Sequence, residues 1–227
     1  MLIAVFMLGP FVLSSAQEPN SIFNQQDEQG RKQGSWKKTN EEGKLVYEGQ
    51  FLNDKPYGEF RYFYPNGKLR VKMLFSETSD TAKTIHYHQN QMVQSEGMYV
   101  DQKKEGHWKF YNESGVLVSE ENYKHDLRDG QLRSYYADGT LLEEQNFSMG
   151  KQIGSWKQYH PNGSLKHDIK FENGLMHGPA SYYFPDGGLY LTGNYIQGLK
   201  NGEWVRYKTD GEIETTEIWI MGINENV

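Results

Sequence analysis

A 24-residue period constrains this chain more than any other feature. Units open at Gly34, Gly58, Gly106, Gly130, Gly154, Gly178 and Gly202, with Ala82 in the third place. Eight such units fill the 227 residues to within two of the end. A repeat this short has no core of its own. Its apolar side must be covered by the units before and after it, so the chain reads as a quasi-linear stack.

The tenth place of the unit is the firmest local signal. It holds Gly43, Gly67, Gly115, Gly139, Gly163, Gly187 and Gly211, and Gln91 in the third unit. Asn or Asp precedes it at Asn66, Asp138, Asn162, Asp186 and Asp210, and Pro65, Pro161 and Pro185 stand one place earlier. Pro fits the first central position of a type I turn, Asn or Asp the next, and glycine the left-handed residue that follows. The pattern predicts a three-residue hairpin loop closed by a glycine bulge, with a two-residue Asn-Gly turn as the rival. Gly150, Gly174 and Gly198, with Asp54, Gln102 and Asp126 in the same place, mark a second turn between units. The glycines as a class are assigned to turns.

The flanks are strand-like. An aromatic recurs before the first turn at Phe63, Tyr87, Tyr111, Tyr135, Tyr159, Tyr183 and Tyr207. Three residues earlier stand Trp36, Phe60, Trp108, Leu132, Trp156 and Trp204. After the turn come Leu45, Leu69, Val93, Leu117, Leu141, Leu165, Leu189 and Ile213, and six residues later a second aromatic such as Phe51, Tyr123 or Phe171. Even spacing puts Leu165 and Phe171 on one face, and the odd spacing of Trp156 and Tyr159 puts them on opposite faces unless a bulge intervenes. Each unit is therefore two short antiparallel strands and two turns. The expected fold is all-β: an elongated single-layer antiparallel meander of about sixteen strands without a long helix, with a two-layer sandwich as the alternative. Eight units at two strand spacings each would span roughly 75 Å before twist. Leu165, Phe171 and Tyr159 are expected to be the most buried residues, and the aromatics of units two and seven more exposed. Unit three, without its turn glycine and with Thr84 for tryptophan, is expected to pair worst.

Composition excludes several classes. There is no cysteine, so disulfides and thiol or cysteine-zinc chemistry are absent. A formal net charge of -6 without a basic stripe argues against nucleic acid. No Gly-x-Ser-x-Gly elbow, P-loop or His-Glu-x-x-His motif occurs. Residues 1–13 are almost wholly apolar and Ser14-Ser15-Ala16 follows. Residues 1–16 read as an export signal peptide, though without a positive n-region, and predict a chain in the periplasm or at the cell surface with no transmembrane span after its removal. Residues 17–33 read as a polar cap, and Gly30 to Gly34 resembles the inter-unit turn at Gly150 to Gly154. Residues 34–225 hold the eight repeats.

Two aromatic sets are candidate binding residues. Trp36, Trp108, Trp156 and Trp204 would form a ladder in a linear sheet. Tyr62, Tyr64, Tyr136, Tyr182 and Phe184 vary between units, so the fold does not require them everywhere. Serial acids at Glu48, Glu120, Glu144 and Asp168 could suggest glycosidase chemistry, but catalytic pairs need a cleft and a perturbed acid. Cross-strand pairing with lysine is the expected use. His86 and His88 point to one side of a strand without a third ligand beside them. No catalytic residue, cofactor or metal site is assigned.

The pattern Gly-x-Trp-x-x-Tyr-x-x-x-Gly-x-Leu, followed by an acid and an aromatic, resembles the variant MORN repeat. Gly106-His107-Trp108-Lys109-Phe110-Tyr111 with Gly115, Leu117, Glu120 and Tyr123 carries it, as does Gly154 to Phe171. The resemblance spans Gly34 to Trp219. It implies an extended β-meander used in protein contacts, and a likeness to bacterial proteins labelled YwqK-family antitoxin components. The exported composition resembles that of Bacteroidetes-type bacteria. The leading expectation is a non-enzymatic scaffold of the cell envelope that binds another protein. Glycan or peptidoglycan binding, and an antitoxin or immunity role, are the alternatives.

Overall fold

The computed structural model describes residues 23–77 and 80–225. The expected signal peptide lies outside the described residues. Among the described residues eighteen strands follow one another, joined by turns, and none is helical. They are β1 (Gln25–Gln26), β2 (Lys32–Thr39), β3 (Leu45–Leu52), β4 (Lys55–Phe63), β5 (Leu69–Phe75), β6 (Thr81–Tyr87), β7 (Val93–Val100), β8 (Lys103–Tyr111) and β9 (Leu117–Lys124). Then come β10 (Leu127–Tyr135), β11 (Leu141–Ser148), β12 (Lys151–Tyr159), β13 (Leu165–Glu172), β14 (Leu175–Tyr183), β15 (Leu189–Ile196), β16 (Leu199–Tyr207), β17 (Ile213–Ile220) and β18 (Ile223–Asn224). Each strand pairs antiparallel with the next in sequence, as β12 with β13 and β13 with β14, which makes the sheet a meander.

The two turns differ in kind. At the hairpin turn, His160 N–H donates to the Ser164 carbonyl at 2.8 Å and Gly163 N–H to the His160 carbonyl at 2.8 Å, with Gly163 at φ +83°. That is the three-residue loop with a glycine bulge. The inter-unit turn has two residues, both left-handed: Asn173 and Gly174, at φ +51° and +87°, join β13 to β14, and Met149 and Gly150, at +47° and +81°, join β11 to β12. These are type I′ turns, whose twist matches that of the flanking strands. Successive type I′ turns are tied to each other, for example through Gly174 N–H to the Gln152 carbonyl at 2.9 Å. The Gly30 turn is of the three-residue kind instead, with Gly30 N–H on the Asp27 carbonyl.

The opening glycine of each unit has a separate task. Gly154 sits inside β12 at φ +66°, where Glu144 faces Lys157 but Asn146 faces Ile153. One residue of β11 thus opposes three of β12. The left-handed residue of this bulge favours glycine. Unit three has Ala82, and there the pairing of β5 with β6 runs unbroken from Val71–His86 to Phe75–Ala82. Ala82 thus pairs with Phe75 where, at the next junction, Lys104 pairs with Tyr99. The weak pairing expected of unit three falls on its junction with β5 and not on its own hairpin, where β6 and β7 share seven partners and Gln91 takes the turn-glycine conformation at φ +71°. The Gln91 side chain braces it by donating to the Leu69 carbonyl at 2.9 Å.

Register sorts the side chains onto two faces. On one, a cross-strand row reads Glu96, Lys109, Glu120, Arg133, Glu144, Lys157, Asp168. Its charges alternate in sign, so the sequential acids are paired across strands, with Arg133 Nε on Glu144 at 3.0 Å and Lys109 Nζ on Glu120 at 3.7 Å. The recurring tyrosines Tyr111 and Tyr135 lie on this face and donate to Glu96 and Glu120, each at 2.7 Å. Trp156 and Tyr159 are accordingly on opposite faces, Tyr159 donating to Glu144 at 3.2 Å. In the last two units the same row becomes Ser181, Thr192, Val205, Thr216.

The other face carries the rings. Its central row is the tryptophan position, and this is where the core sits: Phe60, Trp108, Leu132, Ala180 and Trp204 are all buried. Leu165, Phe171 and Tyr159 are only half-buried, contrary to expectation. The reason lies in three glycines that are not in turns. A Cβ on Gly49 would lie 2.4 Å from the Phe60 ring, one on Gly97 2.3 Å from Trp108, and one on Gly193 2.1 Å from Trp204. The large ring lies on a bare backbone of the preceding strand and is sealed from both sides. Where the central residue is small, its opposite number is large: Ala180 faces Ile169 and Thr84 faces Met73. Steric exchange across the strand pair keeps the volume of the row filled.

Candidate binding groove

The candidate residues fall into two places. Trp36, Trp108, Trp156 and Trp204 stand in the central row of the aromatic face, with Tyr62 and Tyr182 in the neighbouring row. Trp108 and Trp204 are sealed, at 0% and 1% exposure, whereas Trp36 and Trp156 are half-buried. Tyr64, Tyr136 and Phe184 are elsewhere, at the hairpin tips. Tyr64 Oη donates to the Tyr87 carbonyl at 2.6 Å and Tyr136 Oη to the Tyr159 carbonyl at 2.8 Å, so each stitches its tip to the next. His88 does the same to the Tyr111 carbonyl at 3.0 Å, and Phe184 packs edge-on to Tyr190. His86 is on the aromatic face with Nδ1 3.0 Å from Ser95 Oγ, so the two histidines are used separately.

Rings from three rows interlock on the aromatic face. Phe60 meets Phe51 and Phe75 edge-on, each at 5.2 Å between centroids, and Trp108 meets Tyr99 at 5.0 Å. Lysines cover much of this surface. Lys104 Nζ lies 4.8 Å from the Trp108 and Tyr123 centroids, and Lys200 Nζ lies 4.4 Å from Trp204 and 4.5 Å from Trp219. Lys32 caps Trp36 and Phe51 in the same manner. Each lysine stem lies on apolar surface while its cation sits against ring faces. Burial pushes the Lys104 ammonium down from its ordinary value.

Units two and three lack this cover. Pro56 and Ala82 stand in the register place of the lysine, opposite Phe51 and Phe75, with Asp80 in the loop ahead of β6, and Thr84 takes the tryptophan place. A groove of about 720 Å³ opens there, floored by Phe51, Phe60, Tyr62, Phe75, His86 and Tyr99. Asp54, Asp80 and Asp101 line it as well, as do Lys55 and Arg70. Burial holds the His86 imidazole below its ordinary value, helped by the positive charges of Lys104 and Arg70. Burial likewise raises the Tyr62 and Tyr99 phenols. A concave, largely apolar surface with a few convergent polar groups is what a ligand or partner requires. A second hollow of about 540 Å³ lies among Lys72, Lys83, Glu96, Glu105, His107 and Lys109, several of whose charges are paired outside it, Lys72 with Glu59, Lys109 and His107 with Glu120 and Glu105 with His125.

The sequence singled out Tyr62 but missed the rest of this floor. Its signal was present in what unit three omits: a tryptophan at 84 and a lysine at 80.

Residues 56–77, 104–125, 128–149, 152–173 and 176–197 each match the family model described as MORN repeat variant. Residues 56–197 form a MORN repeat variant region. The matched MORN segments start two residues before Gly58, Gly106, Gly130, Gly154 and Gly178 and pass over unit three, whose departures from the pattern open the groove. No curated protein matches the chain. Among solved structures, the chain is similar at 14% identity to one titled "Crystal Structure of TcdB2-TccC3-Cdc42", over 84% of this chain and 14% of that one, with a TM-score of 0.19. The chain spans about one seventh of that structure's length.

Proposed function

We propose that this MORN-repeat chain is a non-catalytic scaffold that binds a protein partner along its aromatic face. The observation that carries the reading is the contrast between the two faces. The charged face answers its own charges strand by strand, from Glu96 to Asp168. The aromatic face leaves a ring-floored groove open at units one to three. Partners gain most from surfaces where aromatic groups can be fully desolvated, and least from charges already paired and solvated. The glycan-binding and antitoxin readings rest on ring content and on the family resemblance alone. Export to the periplasm or cell surface belongs to the same proposal and rests on residues 1–16; sequencing the N-terminus of the mature chain for cleavage after Ala16 tests it.

Photo-crosslinking in the host cell tests the main reading. A photoreactive phenylalanine analogue is placed at Arg70, on the groove rim, or at Lys157, on the charged face. Adducts with a discrete protein from position 70 and not from 157 are expected. Adducts from neither position would sink the scaffold reading, and adducts from 157 alone would move the partner to the other face.

A further inference from the structure

We infer that the groove at units one to three takes a partner segment presenting one aromatic side chain with a lysine or arginine close by. The inference rests on the scaffold reading and names the chemistry of its partner. Unit four shows what the aromatic face does when complete. There Trp108 fills the central row over Gly97, and Lys104, four residues earlier, lays its ammonium 4.8 Å from that ring. Units one and eight repeat the pair with Lys32 and Trp36, and with Lys200 and Trp204. Unit three lacks both halves: Thr84 takes the tryptophan place, Ala82 pairs with Phe75 where Lys104 pairs with Tyr99, and Asp80 lies in the loop ahead of it.

The surroundings are nonetheless still built for the missing pair. Phe75 and Tyr99 stand on either side of Ala82, as Tyr99 and Tyr123 flank the Trp108 position. His86 continues the adjacent row 6.0 Å from Trp108. Met73, the cross-strand partner of Thr84, lines the groove and takes up part of the volume with a flexible side chain that can move aside. In place of the lysine, the rim offers carboxylates. Asp80 and Asp101 are exposed, and Asp54 lies beside them. Against these three acids the same rim carries only the Lys55 ammonium, and the remaining negative charge around an aromatic floor favours a cation arriving with a ring. Arg70, on the opposite rim, disfavours a second cation on that side and fixes the polarity of the segment.

Selection of a random twelve-residue phage-displayed library on the folded chain reads this directly. The expected winners share a single Trp, Tyr or Phe with a Lys or Arg within four residues. Two variants decide whether the winners sit in the groove. Met73→Gly with Thr84→Trp rebuilds the glycine–tryptophan pair of unit four and fills the site from within; affinity for the winning peptides should fall at least tenfold while the circular dichroism spectrum stays that of the parent. Asp80→Lys, a surface change independent of the first, replaces a rim carboxylate with a cation and should weaken the same peptides about fivefold or more. Peptides without an aromatic, no enrichment, or winners that bind all three chains equally would overturn the inference. Crosslinking from position 70 would remain positive in that case if the scaffold reading alone is right.

Discussion

Gly193→Ala, a change of one methyl group, tests the packing logic of the whole sheet. The added Cβ would lie 2.1 Å from Trp204 Cδ2, and Trp204 is 1% exposed, so the ring has no room to retreat. Gly193 is not left-handed, so backbone strain plays no part, and the propensity gain of alanine in a strand, about 0.5–1 kcal/mol, works in the opposite direction. Overpacking in a filled core costs about 1–3 kcal/mol, which leaves a net loss of about 1–2 kcal/mol. Trp204→Ala alone should cost about 3–5 kcal/mol through lost burial and the cavity left behind. In the double variant the methyl meets no ring, so its cost vanishes and its propensity gain remains. The double variant should therefore be more stable than the sum of the singles by about 1.5–3 kcal/mol, measured as a double-mutant cycle in urea. Gly193→Ile with Trp204→Ala, which transplants the Ile169–Ala180 pair, should recover further, and Trp204→Phe, the Gly49–Phe60 pair, should cost less than about 1.5 kcal/mol. Additivity of Gly193→Ala and Trp204→Ala within about 0.5 kcal/mol would refute the reasoning.

Three further outcomes follow from particular residues. His167 is buried against Trp156, at 4.3 Å between ring centroids, and burial holds its imidazole at about 4. The unfolded chain therefore takes up this proton first, so stability should fall as pH drops from about 6.5 and level off near 4, by at most about 3 kcal/mol; in His167→Gln, that part of the difference between urea midpoints at pH 7 and pH 4.5 should disappear. Met149 is left-handed at φ +47° in a type I′ turn and is exposed, so Met149→Asn should raise stability by about 1 kcal/mol, seen as a higher melting temperature. Lys157→Glu would set three acids in a row with Glu144 and Asp168 and should cost about 0.5–2 kcal/mol in dilute buffer, mostly regained in 1 M salt, where the Debye length shrinks to about 3 Å.

Much of the fold was written in the sequence because turns are local. Gly163 after Pro161 and Asn162 states its own backbone conformation, and a period of 24 residues repeats that statement until only a meander fits. The alternation of acids and lysines was equally legible, since strand pairing of adjacent units follows from the turns. What the sequence did not disclose was which residue each strand would lie against. Gly49, Gly97 and Gly193 looked like more turn glycines, and only the register between strands shows them lying under Phe60, Trp108 and Trp204. For the same reason burial was misassigned: Leu165 and Phe171 recur as faithfully as the tryptophans, but recurrence records position in the unit and not what covers it. Tyr64 and Tyr136 resembled Tyr62 in sequence, yet the bulge before each hairpin turn sets them apart at the tips, bonded to the next unit. The groove itself arises from what units two and three lack. Its depth depends on rings of several strands closing around a place where one tryptophan and one lysine are missing, a relation between units that no single unit contains.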